Sequence, residues 1–185
     1  MNRNVPNLLT GFRVVLVFPF GYLLFQAQSS LGIYLALLLF SVAAFTDFLD
    51  GYLARKHKIV SNFGKIMDPL ADKIIVLAAL AGLTLQAPFH LPKAIFFIIL
   101  IRETVITIMR EIYKKKDIIV PADKLGKIKT VMQMTGIIAA LYLWASQDPL
   151  IHTARTIVVY WFWIVALITL YSGINYIVPR KHNSL

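Results

Sequence analysis

The chain has 185 residues, of which 58% are hydrophobic and 15% are charged, with a mean hydropathy of +0.71. Soluble domains carry about 25% charged residues, so this composition excludes an ordinary soluble domain and indicates one integral membrane domain, residues 1–185. The net charge is +10 and cysteine is absent, which excludes disulfides, thiolate metal sites and a cysteine nucleophile. In a membrane protein, such a charge indicates basic cytoplasmic loops and anionic lipid or phosphate ligands rather than nucleic acid.

Apolar segments divide the chain into six predicted membrane spans. The first thirty residues lack a small-residue cleavage motif, so we expect no cleavable signal peptide. A short amphipathic helix opens the chain, with Pro6 suited to its first turn. Residues 14–46 carry no charge and are long enough for two spans, the first of which Pro19 is expected to kink. The spans are predicted at about 10–26, 31–54, 64–85, 91–113, 126–146 and 153–177.

The distribution of basic residues predicts the orientation of these spans. Six spans place both termini on one side of the membrane, and nearly all basic residues fall on that side. Only Lys93 and Arg155 fall near the opposite face. The positive-inside rule therefore predicts an all-α integral membrane protein, a six-transmembrane-helix bundle of the plasma membrane with both termini cytoplasmic.

Acidic residues are concentrated at the cytoplasmic ends of spans two and three. Two acids lie at the end of span two and two at the start of span three. The members of each pair are three or four residues apart, so each pair shares one helix face. Four carboxylates in one place repel each other unless cations intervene, and oxygen ligands of this kind suit Mg²⁺ or Mn²⁺ in sites that act on phosphoryl groups. The alternative is a solvated loop in which the acids pair with Arg55, Lys65 and Lys73. The four acids are Asp47, Asp50, Asp68 and Asp72.

The spacing of these acids matches a known motif. The chain reads Asp47-x-x-Asp50-Gly51-x-x-Ala54-Arg55, then eight residues, then Gly64-x-x-x-Asp68-x-x-x-Asp72. At every fixed position it resembles the motif of the CDP-alcohol phosphotransferases, whose fold is a six-helix transmembrane bundle, often a homodimer.

The resemblance implies a reaction in which an alcohol attacks the β-phosphate of a CDP-linked donor and CMP leaves. It implies that the four aspartates hold two divalent ions, Mg²⁺ or Mn²⁺, and that Asp72 is also the base that deprotonates the acceptor hydroxyl. It further implies that Asp50, Gly51 and Arg55 lie along the cytidine diphosphate.

Segments outside the motif bear on the acceptor alcohol. They resemble phosphatidylglycerophosphate synthases within the family and cover most of residues 5–135, which implies CDP-diacylglycerol as donor and sn-glycerol 3-phosphate as acceptor. Other acceptors remain open, such as inositol phosphate, serine or choline. A divalent-cation transporter is a further alternative, but it needs polar groups through the whole membrane thickness. The segments are VPNLLTGFRVVLVFP, DPLADK, RETVITIMRE and GKIKTVMQ.

Glycerol 3-phosphate is a small dianion, so its pocket needs cations close to the acidic cluster. Arg102 interrupts an apolar span, where a charged residue is a functional candidate, and Arg110 lies about two turns further along. Lys127 and Lys129 stand at the start of span five. We predict that these four bind the acceptor phosphate. Pairing with Glu103 or Glu111 is the alternative for Arg102, and membrane orientation is the alternative for the lysines.

Polar residues at the amino-terminal end provide candidates for the donor. Asn7, Thr10 and Arg13 follow one another at three-residue spacing on one helix face. They are predicted to approach the nucleotide or the donor phosphates. A helix cap followed by an interfacial anchor is the alternative.

Overall fold

The computed structural model describes residues 5–26, 29–57, 62–116, 124–147 and 151–177. Within these ranges, side chains are described for 11–26, 29–46, 73–113, 116, 125–147, 151 and 153–176. The described residues form six α-helices and no strand, which confirms the all-α class for this part of the chain. The helices are α1 (Val5–Phe25), α2 (Ser30–His57), α3 (Asn62–Leu85), α4 (Lys93–Lys115), α5 (Lys124–Ser146) and α6 (Ile151–Ile177).

Helix boundaries agree with the predicted spans, except at the amino-terminal end. Each of α2 to α6 begins and ends within about three residues of its predicted span. The predicted short amphipathic helix is part of α1 rather than a separate element, because residues 5–25 form one continuous helix. Pro19 lies inside α1 without ending it.

The helices pack around a closed ring in the order α1, α2, α5, α6, α4, α3, and α3 also contacts α2 and α5. At one end of the bundle, Arg155 Nε donates a hydrogen bond to the Phe89 carbonyl at 2.8 Å, and the Ser30 hydroxyl donates to the Ala145 carbonyl. The starts of α2 and α6 therefore meet the ends of α3 and α5 there. The end of α2 and the start of α3, which carry the acidic motif, lie toward the opposite end.

Apolar side chains occupy both the interior and the surface of the bundle. Phe20, Phe40, Phe89 and Phe162 are among the fully buried residues of the core. Soluble monomers rarely expose large contiguous apolar areas, so the many exposed apolar side chains fit a surface that faces lipid. Among the most exposed are Phe18, Tyr22, Ile101, Val131 and Leu167.

Two helical segments, Leu125–Ser146 and Thr153–Tyr176, are long and apolar enough to cross a membrane, judged by length and composition. Three shorter apolar helices also occur among the described residues, at Gly11–Phe25, Ser30–Thr46 and Lys73–Leu85. These segments fit a helical membrane protein, and the six-span topology stays a prediction.

Candidate functional site

The acidic motif is divided between two helices that pack against each other. Asp47 and Asp50 belong to the last three turns of α2, and Asp68 and Asp72 to the first three turns of α3. Gly51 and Arg55 also belong to α2, and the side chains of Arg55 and of the four aspartates lie outside the described residues. The backbone placement nevertheless fits the donor set. Two carboxylate pairs at same-face helical spacing, on two helices that contact each other, supply all-oxygen ligands of the kind that Mg²⁺ and Mn²⁺ prefer.

Lys73, the residue that follows Asp72, is bound to α4. Its ammonium group pairs with Glu103 Oε2 at 3.1 Å and donates to the Glu103 carbonyl at 3.1 Å and to the Thr107 hydroxyl. A lysine has three N–H donors, so α4 provides an acceptor for each of them. These bonds hold α3 against α4 at the position directly after the motif.

The other oxygen of Glu103 binds two further cations. Glu103 Oε1 pairs with the Lys129 ammonium from α5 and with Arg102 Nη1 at 3.3 Å. Lys129 is only 4% exposed, and a buried ammonium is stable only with such a counter-charge. We call Lys73, Arg102, Glu103 and Lys129 the Glu103 cluster. It contains three cations and one carboxylate, so it carries a net charge of +2.

Helix α6 holds Arg102 in place. Arg102 Nη2 donates to the Ser172 hydroxyl at 2.8 Å. A Cβ atom added at Gly173 would lie 3.1 Å from Arg102 Cγ, so the glycine leaves room for the arginine. The pairing of Arg102 with Glu103, which sequence reasoning gave as the alternative, is confirmed, whereas an acceptor-phosphate role for Arg102 stays a prediction.

The remaining candidates are spread over the bundle. Arg110 is exposed, with its guanidinium carbon 5.7 Å from the centroid of the Tyr176 ring, and Lys127 is also exposed. Arg13 is 1% exposed inside the bundle. Asn7 and Thr10 belong to α1, and their side chains lie outside the described residues.

A small cleft lined by both polar and apolar side chains opens beside the Glu103 cluster, between α3, α4 and α5. Of the four predicted acceptor residues, Lys129 lines this cleft. Arg102 does not line it and instead binds Ser172 of α6. Gln133 and Thr130 line it from the same side of α5. The cleft therefore combines positive charge with uncharged polar groups next to the segment that carries Asp72.

Several residues of this region were not predicted from the sequence to belong to a site. Gln133 carried a usable signal, because it is polar in an apolar span and lies four residues after Lys129. Glu103 and Lys73 were considered only as counter-charges. Thr107 and Ser172 gave no signal, because hydroxyl residues are common in membrane helices.

Comparison with known proteins gives the family. The model of the CDP-alcohol phosphatidyltransferase family matches residues 3–172. Three relatives carry the name CDP-diacylglycerol–glycerol-3-phosphate 3-phosphatidyltransferase. The protein of Mycoplasma genitalium is 32% identical, covering 94% of this chain and 82% of the relative. The protein of Rickettsia prowazekii is 34% identical, covering 95% and 94%. The protein of Escherichia coli K12 is 34% identical, covering 100% and 99%. The chain therefore belongs to the CDP-alcohol phosphatidyltransferase family.

Proposed function

We propose that this chain transfers the phosphatidyl group of CDP-diacylglycerol to sn-glycerol 3-phosphate, giving phosphatidylglycerophosphate and CMP. The observation that carries the proposal is the position of the cationic cleft. The cleft contains the buried Lys129, and it lies beside Lys73, which directly follows Asp72 of the aspartate motif. The names of the three relatives support the same donor and acceptor.

The motif residues divide the chemistry between them. Asp72 takes the proton of the acceptor hydroxyl, whose oxygen forms a bond to the β-phosphorus while the bond from that phosphorus to CMP breaks. Asp50, Gly51 and Arg55 bind the cytidine diphosphate, with Asn7, Thr10 and Arg13 of α1 contributing to the donor site. Arg13 is buried inside the bundle, and an arginine within a membrane helix is a candidate for function, which fits this proposed role.

The four aspartates are the residues that hold divalent ions in this proposal. Asp47, Asp50 and Asp68, with help from Asp72, bind two ions, Mg²⁺ or Mn²⁺. When bound, these ions offset the negative charge of the diphosphate and of the CMP leaving group.

The proposed setting is the plasma membrane. The chain crosses it six times as a single domain, with both termini and the active site at the cytoplasmic face. This orientation follows from the basic residues and gives the water-soluble acceptor access to a lipid donor. A homodimer is proposed by resemblance to the family, and the exposed apolar helix faces offer surface for such contacts.

The test is an assay of the purified protein in detergent with CDP-diacylglycerol and labelled glycerol 3-phosphate. We expect CMP release and a labelled phospholipid with Mg²⁺ or Mn²⁺, loss of both with EDTA, and recovery when the metal is restored. Metal-independent turnover would contradict the role of the aspartates. Metal flux into proteoliposomes without CMP release would favour the transporter alternative.

Two lysines on α5 form a matched pair for testing the acceptor phosphate site. Lys129 is buried and lines the cleft, whereas Lys127 is exposed. We expect Lys129→Met to raise the KM for glycerol 3-phosphate by roughly 10-fold or more, because a charge-assisted contact to phosphate contributes about 1.5–3 kcal/mol. Lys127→Met should raise it by less than about 3-fold, because Lys127 is exposed and does not line the cleft, which favours membrane orientation over the acceptor-phosphate role predicted for it. Equal effects on the KM values for donor and acceptor would argue against a phosphate contact at Lys129.

A further inference from the structure

Gln133 presents an amide to the cleft that has no hydrogen-bond partner among the described residues. Its side chain is 4% exposed and lines the cleft beside Lys129. Within the described part of the chain, Gln133 makes no side-chain hydrogen bond. Its amide atoms are not among the fully buried, unpartnered side-chain atoms of the described residues, so the amide reaches the space of the cleft and can bind a group that enters it.

The position of Gln133 relative to Lys129 and Lys73 limits which ligand its amide can bind. Gln133 lies four residues after Lys129 on the same face of α5, roughly 6 Å further along the helix axis. Lys129 binds Glu103, which also binds Lys73 beside Asp72. A phosphate held at Lys129 therefore has the amide of Gln133 as a neighbour in the same cleft, within reach of the carbon chain of the acceptor.

We propose that Gln133 binds the C2 hydroxyl of the acceptor and thereby selects glycerol 3-phosphate over phosphates that lack this hydroxyl. The inference rests on the proposed function. The C1 hydroxyl is the nucleophile and gives its proton to Asp72, so the C2 hydroxyl is the group left for recognition. An amide both donates and accepts hydrogen bonds, as a hydroxyl does. A site that pairs a substrate hydroxyl rejects the deoxy analogue, because its own polar group is then left buried and unpaired.

The test compares two acceptors, sn-glycerol 3-phosphate and 3-hydroxypropyl phosphate, which lacks the C2 hydroxyl. For the wild type, we expect kcat/KM to be about 100-fold lower with the analogue. Gln133→Met keeps the side-chain length and removes the amide. It should lose most of its activity toward glycerol 3-phosphate and discriminate between the two acceptors by less than about 5-fold, since the paired group is gone.

Thr130 provides the matched control. It lines the same cleft on the same helix, but its hydroxyl already donates to the Gly126 carbonyl at 3.0 Å. Thr130→Val should therefore keep the wild-type ratio between the two acceptors. The same ratio in Gln133→Met as in the wild type would overturn the inference.

A wild type that uses both acceptors equally would also overturn the inference, and this measurement does not depend on the folding of any variant. The two proposals fail in different ways. A wild type that turns over neither acceptor contradicts the proposed function. A wild type that turns over glycerol 3-phosphate without discriminating against the analogue contradicts only the role of Gln133.

Discussion

Replacing Asp72 by asparagine should lower the rate of CMP release by about 10³-fold, within the range that a general base contributes to catalysis. The amide of asparagine has nearly the same shape as the carboxyl group but cannot take the proton of the acceptor hydroxyl. Folding should be unchanged, because Lys73 still binds Glu103 and Thr107 on α4. Much of the metal affinity should also remain, because Asp47, Asp50 and Asp68 are intact.

Three measurements on Asp72→Asn separate these expectations: CMP release, Mn²⁺ binding by electron paramagnetic resonance, and the melting temperature in detergent. Asp148→Asn, in the connection between α5 and α6, removes a carboxylate far along the chain from the motif and should behave like the wild type. Turnover by Asp72→Asn within twofold of the wild type would remove Asp72 as the base.

Replacing Glu103 by glutamine should destabilise the bundle and weaken acceptor binding together. Glu103 is the carboxylate that binds Lys73, Arg102 and Lys129, and Lys129 is buried. Removing one partner of a buried ion pair typically costs about 3 kcal/mol or more, because the remaining charge is left uncompensated. We expect a lower melting temperature and, because the Lys129 ammonium loses the carboxylate that positions it in the cleft, a higher KM for glycerol 3-phosphate.

Two further variants identify the cause of this effect. Glu111→Gln removes another carboxylate from α4 and should change the KM for glycerol 3-phosphate much less. In the double variant Glu103→Gln/Lys73→Met, one of the repelling cations is also gone, so part of the lost melting temperature should return relative to Glu103→Gln alone. A double variant with a lower melting temperature than Glu103→Gln would contradict the electrostatic explanation of the lost stability.

Helix positions could be predicted well because apolar runs and the turns between them are local features of the sequence. Charged or proline-containing stretches such as 86–92 separate runs of about 20 apolar residues, and a helix that spans a bilayer needs this length. The continuity of α1 was missed because the polar residues between 7 and 13 indicated a separate amphipathic piece. Polar residues do not interrupt backbone hydrogen bonding, so the helix continues through them.

The sequence predicted only the part of the site whose residues lie close together along the chain. The four aspartates lie within 26 residues and could be paired on helix faces from the sequence. The Glu103 cluster joins residues of α3, α4 and α5, and the hydrogen bond from Arg102 to Ser172 spans 70 residues. The sequence shows these charges but does not show which of them meet.

Lys127 and Lys129 illustrate the same limit within one helix. Two residues correspond to about 200° of rotation around a helix, so one lysine faces the cleft and the other the surface. The sequence alone does not show which side of α5 faces inward. The packing of α5 against α2, α3 and α6 decides it.

Product analysis under competition tests the central claim most directly. The purified protein is given CDP-diacylglycerol, Mg²⁺ and equal concentrations of labelled glycerol 3-phosphate, inositol phosphate, serine and choline. We expect phosphatidylglycerophosphate to be the dominant labelled lipid, formed in the same amount as CMP. A labelled lipid from another alcohol, with none from glycerol 3-phosphate, would contradict the proposed acceptor, and no CMP release with any of the four would contradict the proposed chemistry as a whole.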